Sequence, residues 1–570
     1  MKKCIIIFLP VLMLVMACSL DEKMVSTSSP SEYYTNESQC RAALNGCYQP
    51  LRNIYNSKNY FQICEVQTDL MFSKRRDQVN ATLQVSPSAP QFGANMWENG
   101  YLGVMRANAV CAGIERSELP EEQKEYLMAE AVVLRSMFYY ILTSNFGDVP
   151  FYKDEVTKEN NSAISKLPRM DASAIRKDLI AELRTWVVDR KALDWKPTNS
   201  GDNRQQYRCG AALGLYLAGK MSLWEKDWAA AIEYFGYLEE IYGPLYNYPL
   251  SDIPFNKRNT PEVILEVSNI SVDFGLHIYG ALASYTTPMR SDDTSGSTSD
   301  LEEEEEIFVD SGNNLYDGIR IPELGQHSYT HVPIRPTRKM CLNLMPWDGT
   351  DRRRSSYEVT AVSPQEPGAI VPVEDGGGYM AWGWPGYAPE DEVSDETLKY
   401  HLFASVQKRS WRPYLGNKFW CFGMQHTMDD NSYKAFRYAG AILGLAEAWF
   451  GEGDYDKACE YLNMVKQRAG IARVFPKMYP DKDELLLEIQ DEYARELFGE
   501  FQRKHDLVRW GIWYDSVMKY NVGPKADGGE DNTVMELYIK PCHEYYPIPD
   551  EQIVYSGGAL DNDEYNKWGL

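Results

Sequence analysis

Two distant stretches of the chain share one spacing of small, acidic and aromatic residues, and this internal repeat limits the fold more than any other feature. The stretches are residues 217–235 and 444–462, which align when Asp227 is placed on Asp454. The other aligned pairs are Gly219 with Ala446, Trp228 with Tyr455, Ala231 with Ala458, Tyr234 with Tyr461 and Phe235 with Leu462. A small residue lets two helices approach closely, and an Asp caps a helix by accepting hydrogen bonds from backbone N–H groups. Each stretch therefore predicts a hairpin of two packed helices.

Apolar residues recur at helical spacing through much of the rest of the chain. In 121–145 they fall on one face, and Gly147 and Pro150 then mark the end of that helix. The predicted helices are 37–56, 95–116, 121–145, 172–190, 204–221, 227–242, 433–450, 454–468 and 482–514. The pattern predicts a mainly α fold, in which a tetratricopeptide-type scaffold holds up to four helix pairs.

The region from 245 to 430 has a different composition, rich in Gly, Pro, Tyr, Trp and Asp. Residues 261–267 predict one short strand, but most of the region has no regular period. Loops of this length are usually functional or disordered, and the aromatic content argues against simple disorder. We therefore predict a large loop-rich insertion that contains few short strands.

The N-terminus has the pattern of a bacterial lipoprotein signal. Lys2 and Lys3 precede an apolar run too short to span a bilayer, which needs about 20 residues. The run ends at Ala17 and Cys18, a small residue followed by the cysteine that would be acylated. We predict a signal peptide at 1–17, lipidation of Cys18 and a lipidated tether at 18–35. The alternative is an ordinary signal peptide in which Cys18 has no special role.

Charge and motif content argue against several classes of function. The net charge of −24 disfavours binding to nucleic acid, which needs a basic surface. The chain has no CxxC pair, no HExxH and no GxSxG. With 82 acidic residues, choosing any carboxylate pair as a glycosidase centre would have no specificity. We predict that the protein is not an enzyme and uses no cofactor, and the sequence assigns no metal site.

Several motifs occur in an order that resembles the SusD/RagB family of surface nutrient-binding lipoproteins. After Cys18, the segment 129–150 is similar to the family's AEA-x-x-LRA…FGDVP pattern, with Ser136 where Ala is usual. In 492–511 the chain is similar to the ERR-x-E…DL-x-RWG pattern, although Tyr493 and Ala494 replace the usual Arg pair. The remaining motifs are 437–448 and 546–551. The resemblance covers nearly all of the mature chain.

The resemblance implies a scaffold of four tetratricopeptide units with a loop-rich insertion. It also implies a place in the outer membrane, lipid-anchored and facing the cell exterior, and a SusC-like TonB-dependent transporter over whose mouth the protein sits as a lid. It does not identify the ligand, because members bind varied glycans and some are linked to peptides. The expected segments are 36–244 for N-terminal repeats, 245–430 for the ligand-binding insertion and 431–570 for the last repeat and closing segment.

Aromatic residues on loops, with polar neighbours, are the predicted ligand contacts. Aromatic rings pack against the C–H faces of sugars, while polar groups form hydrogen bonds with the sugar hydroxyls. The candidates are Tyr379, Trp382, Trp384 and Tyr387, then Trp347 with Asp348, then Trp411 with Trp420, and Arg75 on a polar loop. The alternative for each ring is packing of its loop onto the helices. We predict a glycan-binding lipoprotein that delivers its ligand to the transporter; the alternatives are a peptide-binding RagB-like protein and a surface glycoside hydrolase.

Overall fold

Helices form most of the described chain. The computed structural model describes residues 33–73, 77–194, 208–269, 280–286, 414–421, 429–521 and 533–570, with short pieces between 315 and 381. The α-helices up to the insertion are α1 (Glu37–Tyr55), α2 (Lys58–Phe61), α3 (Phe92–Arg116), α4 (Glu121–Phe146), α5 (Asn161–Ile164), α6 (Ala172–Leu183), α7 (Ala211–Glu225) and α8 (Trp228–Tyr242). The α-helices after residue 245, where the insertion begins, are α9 (Ala283–Thr286), α10 (Tyr438–Gly451), α11 (Tyr455–Arg468), α12 (Lys482–Glu496), α13 (Arg503–Arg509), α14 (Trp513–Tyr520), α15 (Thr533–Tyr538), α16 (Asp550–Tyr555) and α17 (Asp563–Asn566).

The strands are short and pair two by two. They are β1 (Met71–Ser73), β2 (Val263–Val267), β3 (Leu315–Tyr316), β4 (Ile319–Arg320), β5 (Ile334–Pro336), β6 (Tyr357–Val359), β7 (Ile370–Pro372), β8 (Met380–Ala381), β9 (Tyr414–Leu415) and β10 (Tyr433–Arg437). All the pairs are antiparallel: β1 with β5, β2 with β10, β3 with β4, β6 with β7 and β8 with β9. The prediction of a mainly α scaffold with few short strands is confirmed.

The long helices stack as four neighbouring pairs. These pairs are α1 with α3, α4 with α6, α7 with α8, and α10 with α11. At the centre, every residue of α4 from Ala129 to Phe146 is buried. A helix that is buried on all sides lies at the centre of its array, so α4 is the core helix here. In α8 and α11 the capping predicted from the repeat is present, because Asp227 accepts a hydrogen bond from Ala230 N–H and Asp454 accepts one from Lys457 N–H, both at 3.1 Å.

The two repeats meet around the ring of Phe235. Gly219 of α7 and Gly444 of α10 both lie against this ring, and a Cβ at either position would overlap it. The aromatic residue of α8 thus fills the space that two glycines leave on the neighbouring helices. Glycine destabilises a helix interior, and here the close approach of the ring offsets that cost.

Replacing Gly444 by alanine is expected to lower the free energy of unfolding by about 1–3 kcal/mol, because the added methyl group overpacks a filled core. Gly236 of α8 is the matched control, since no atom lies within 4 Å of the position that a Cβ would occupy there. Gly236→Ala should instead stabilise the helix by up to about 1 kcal/mol. Urea unfolding of both variants measures the difference. Equal shifts for the two variants would contradict the packing of Phe235 between the repeats.

Several predicted helices have different boundaries in the structure, and two of them differ most. Residues 433–437, assigned to a helix, form β10 and pair with β2 before α10 begins. Short apolar runs do not distinguish a strand from a helix, and the partner strand is distant in sequence. The helix predicted over 482–514 is three helices, α12, α13 and part of α14. It is interrupted where Gly499 and Phe501 take positive φ values of 77° and 62°, which end a right-handed helix.

Candidate functional site

Three pieces of the insertion meet in one layer on the helical scaffold, and we name residues 351–354, 377–381 and 414–418 together the loop base. The middle piece lies between the other two. Backbone hydrogen bonds join them, from Gly377 N–H to Arg352 O (3.0 Å), Tyr379 N–H to Arg353 O (2.9 Å), Gly416 N–H to Tyr379 O (3.0 Å) and Lys418 N–H to Gly378 O (2.8 Å). Because these buried backbone groups are paired, the loop base is one connected platform.

The longest segment with predicted ligand contacts, residues 382–413, begins and ends at adjacent points of the loop base. Its two ends are β8 and β9, where Met380 pairs with Leu415 and Ala381 pairs with Tyr414. Trp382 directly follows Ala381 in the sequence, and the segment ends just before Tyr414. The strand pair therefore closes the base of the segment that carries Trp382, Trp384, Tyr387 and Trp411.

The segment with Trp347 and Asp348 is tied to the same platform. It lies between the described pieces 339–345 and 351–354. The guanidinium group of Arg354 donates a hydrogen bond to the backbone carbonyl of Met345, so the two ends of the segment are held together. The end of this segment at Asp351 is therefore part of the same loop base as β8 and β9.

The polar loop with Arg75 begins at β1, which is the neighbour of β5, and β5 in turn lies against β9. Asp69, just before β1, accepts hydrogen bonds from Arg503 at 2.8 and 2.9 Å and from Lys339 at 2.7 Å. Burial alone would raise the pKa of Asp69, but the charges of Arg503 and Lys339 outweigh burial and hold it well below its usual value. The ends of the three segments that carry the predicted groups therefore lie in one layer.

The structure places only two of the predicted ligand-binding residues, and it places both in the core. Tyr379 and Trp420 are fully buried. The Tyr379 hydroxyl donates to the backbone carbonyl of Glu496 at 2.8 Å, and the Trp420 indole N–H donates to Leu415 O at 3.0 Å. With no ring face open to a ligand, these two assignments are corrected: both residues hold the platform. Outside the described residues lie Arg75, Trp347, Asp348, Trp382, Trp384, Tyr387, Trp411 and Cys18.

A buried network of charges fixes the loop base to the helices beneath it. Arg353 donates to Asp351, to Glu492 (2.7 Å) and to Glu496 (3.0 Å). At the start of α10, Arg437 donates to Glu496, and its other bonds go to Glu262 (2.7 Å) and Glu500 (2.8 Å). Arg468 and Lys418 complete the network through ion pairs with Glu496 and Glu500 respectively. The network joins parts of the chain that extend from residue 262 to residue 500.

The arginines keep the buried glutamates ionised. Burial alone would raise the pKa of Glu492, but Arg353 and Arg495 outweigh it and lower the pKa to about 2. Burial likewise opposes the ionisation of Glu496, and Arg468, Arg437 and Arg353 together lower its pKa to about 2. Buried carboxylates are tolerated only when they are paired in this way. Loss of any one arginine would therefore destabilise the folded chain.

These pKa values predict acid sensitivity. A carboxylate whose pKa is lower in the folded state than in the unfolded state stabilises the fold above the unfolded value, and this stability is lost as the pH falls towards the folded value. For Glu492 and Glu496 the window runs from pH 4.5 down to about 2. The melting temperature should therefore fall steeply across this window. Calorimetry at pH steps from 7 to 2.5 measures it; a flat profile below pH 4.5 would contradict the ionised network.

Sequence reasoning noted the motifs at 437–448 and 492–511 but not the network that their charged residues form. The sequence does contain a pattern that could have indicated the network. Glu492, Glu496 and Glu500 recur every four residues, which places the first two on one face of α12. Such a face is usually solvated, and only the fold shows it buried. Within the described residues, no group of three His, Cys, Asp or Glu side chains is placed to hold one metal ion.

Comparison with known proteins matches both ends of the chain to one family. Residues 381–565 match the model of the SusD family, and residues 20–182 match the model described as "Starch-binding associating with outer membrane". SusD-like protein P25 of Formosa agariphila is 22% identical over 565 residues, which are 96% of this chain and 95% of that protein. Starch-binding protein SusD of Bacteroides thetaiotaomicron is 31% identical over 139 residues, or 24% of this chain and 22% of that protein.

Solved structures share the fold along almost the whole chain. Surface glycan-binding protein A from Bacteroides thetaiotaomicron, in complex with laminarihexaose, aligns with a TM-score of 0.62 at 17% identity. The alignment covers 92% of this chain and 99% of that one. The two family models together match more than half of the chain, and the motifs found in the sequence lie within or beside the matched ranges. The chain belongs to the SusD/RagB family.

Proposed function

We propose that the protein captures a glycan at the outer surface of the outer membrane and delivers it to a SusC-like TonB-dependent transporter. The observation that carries this proposal is the loop base with its neighbours β5 and β1, where the ends of the three segments that carry the aromatic and polar candidates come together. Loops that carry binding residues on a rigid scaffold are a recurrent arrangement in recognition. One family model is described as starch-binding and outer-membrane-associated, and one structural neighbour is bound to laminarihexaose, which supports a carbohydrate ligand and this location.

In this proposal the insertion 245–430 binds the ligand, and the helix pairs of 36–244 and 431–570 form the scaffold that supports the insertion. The ligand contacts are Trp382, Trp384 and Tyr387, with Trp347, Asp348, Trp411 and Arg75 as neighbours. The protein binds and releases its ligand without chemical change. This view is supported by the charges of Asp351, Arg353 and Lys418 in the loop base, which form ion pairs with each other and with Glu492 and Glu500.

Titration calorimetry against a panel of polysaccharides, oligosaccharides and peptides tests the proposal. Saturable heat with a glycan, and an unchanged glycan on later chromatography, is the expected result. Saturable heat with peptides alone would favour a peptide-binding RagB-like function. Release of shorter sugars during the titration would favour a surface glycoside hydrolase.

Anchoring through Cys18 makes a separate prediction. Several acyl chains on this residue would hold the protein firmly, because each buried methylene contributes about 0.8 kcal/mol. Cys18→Ala should therefore move the protein from the outer-membrane fraction to the soluble fraction. Cys542→Ala is the control, since Cys542 is a cysteine of the folded chain far from the N-terminus. Retention of the Cys18 variant in the membrane fraction would show that another contact anchors the protein.

A further inference from the structure

A second cavity lies away from the loop base, between the end of α4, the start of α6 and the closing segment 541–568. We name it the C-terminal cavity. Its volume is about 510 Å³, within the range of small-molecule sites, and none of its lining residues belongs to the loop base. Its walls include Asp148, Arg169, Arg176, Tyr545 and Trp568. The cavity therefore combines polar and aromatic side chains from three parts of the chain.

Most charges around the C-terminal cavity are already compensated. Arg169 lies 3.5 Å from Asp561 and 3.4 Å from Glu564. The carboxylates of Asp148 and Asp171 accept hydrogen bonds from backbone N–H groups at the start of α6, at 2.9 and 2.8 Å. Lys567 and Glu544, which also line the cavity, have opposite charges. The cavity thus presents little net charge to a ligand.

Several polar side chains that line the C-terminal cavity, in contrast, have donors or acceptors that no described residue uses. Arg176 is only 8% exposed and bonds through Nε to Glu225 at 2.6 Å. Its two terminal nitrogens donate to no residue in the described part of the chain. The hydroxyl of Tyr545 and the carboxylate of Glu544 also lack hydrogen-bond partners among the described residues. The guanidinium group of Arg176, the Tyr545 hydroxyl and the Glu544 carboxylate can therefore form hydrogen bonds with the hydroxyl groups of a ligand in the cavity.

Two aromatic rings border these polar groups. Trp568 is 48% exposed, and Tyr545 packs against Gly147, where a Cβ would lie 3.6 Å from the ring. Flat apolar rings beside donors and acceptors, with little net charge, match a neutral ligand that has both hydroxyl groups and C–H faces. A charged ligand would instead need uncompensated charge of the opposite sign.

We propose that the C-terminal cavity is a second binding site for a short neutral oligosaccharide. Arg176 and Glu544 bond to its hydroxyls, while Trp568 and Tyr545 cover its apolar face. This inference rests on the proposed glycan-binding function and adds a site to it. A protein that holds a polymer at two places binds it more tightly than either site alone, because the second contact becomes intramolecular.

Fluorine NMR tests the two sites separately. The Cys18→Ala chain is labelled with 5-fluorotryptophan, so that each of the 14 Trp residues has its own signal, and Trp→Phe variants assign the signals of Trp568, Trp382 and Trp384. The titrants are laminarihexaose, maltohexaose, xylohexaose and mannohexaose, with tetra-alanine as a neutral peptide. At least one hexaose should shift the Trp568 signal saturably. Glu544→Gln should weaken that titration about tenfold, the effect of losing a hydrogen bond to a charged group.

The matched control is Glu118→Gln, an exposed glutamate outside the cavity, which should leave the Trp568 titration unchanged. Shifts of Trp382 or Trp384 without a shift of Trp568 would overturn the second site and leave the proposed function intact. A Trp568 shift caused only by tetra-alanine would overturn the assignment to a sugar. If no tryptophan signal responds to any hexaose, the second site and the proposed function both fail.

Discussion

Replacement of Arg437 by methionine is expected to lower the free energy of unfolding by about 3–5 kcal/mol, the usual cost of removing one partner from a buried ion pair. Arg437 is fully buried and donates to Glu262, Glu496 and Glu500, as well as to the backbone carbonyl of Glu496. Methionine fills much of the same volume, so the loss would be mainly electrostatic. Glu262, Glu496 and Glu500 would each lose one cationic partner in a region from which water is excluded.

Urea unfolding of the variant and of a matched control separates this effect from the general loss of an arginine. Arg184 is the control, because it pairs with Glu233 at 3.0 Å while the two side chains are 44% and 38% exposed. An exposed pair of this kind contributes less than about 1 kcal/mol, so Arg184→Met should change little. A similar loss for both variants would mean that the buried network does not carry the stability assigned to it.

The second large effect concerns binding. Changing Trp382 and Trp384 together to alanine should weaken glycan binding by about 2–3 kcal/mol, roughly 30- to 150-fold, if both rings cover sugar faces. The segment starts at β8, whose pairing with β9 holds its base in place. The loss should therefore come from the missing rings and not from a displaced platform.

Calorimetry with the best glycan of the panel measures this loss. Tyr555→Ala is the control, because its ring is 70% exposed on α16, outside the insertion, and belongs to none of the predicted groups. The melting temperatures of both variants should match that of the parent chain. Unchanged affinity in the double variant, with the fold intact, would remove Trp382 and Trp384 from the proposed site.

The helical scaffold follows from local patterns in the sequence. The repeat around Asp227 and Asp454 predicted two capped helical hairpins, and both caps are present. Such features are readable because a helix is specified by residues three or four positions apart and by the cap at its first turn. The strand at 433–437 was missed for the opposite reason, since its hydrogen bonds go to β2, far away in the chain.

Which aromatic residues belong to the core was decided only by the tertiary structure. In sequence, Tyr379 resembles the neighbouring rings on its Gly-rich segment, yet its hydroxyl reaches the carbonyl of Glu496 and its ring lies 3.8 Å from the ammonium group of Lys418. Likewise, the glutamates of α12 look like a solvated face until Arg353, Arg437 and Arg468 cover them. The sequence by itself determined most of the helices, the repeat and the family. The burial of single rings and charges depends on partners that only the folded chain brings within a few ångströms.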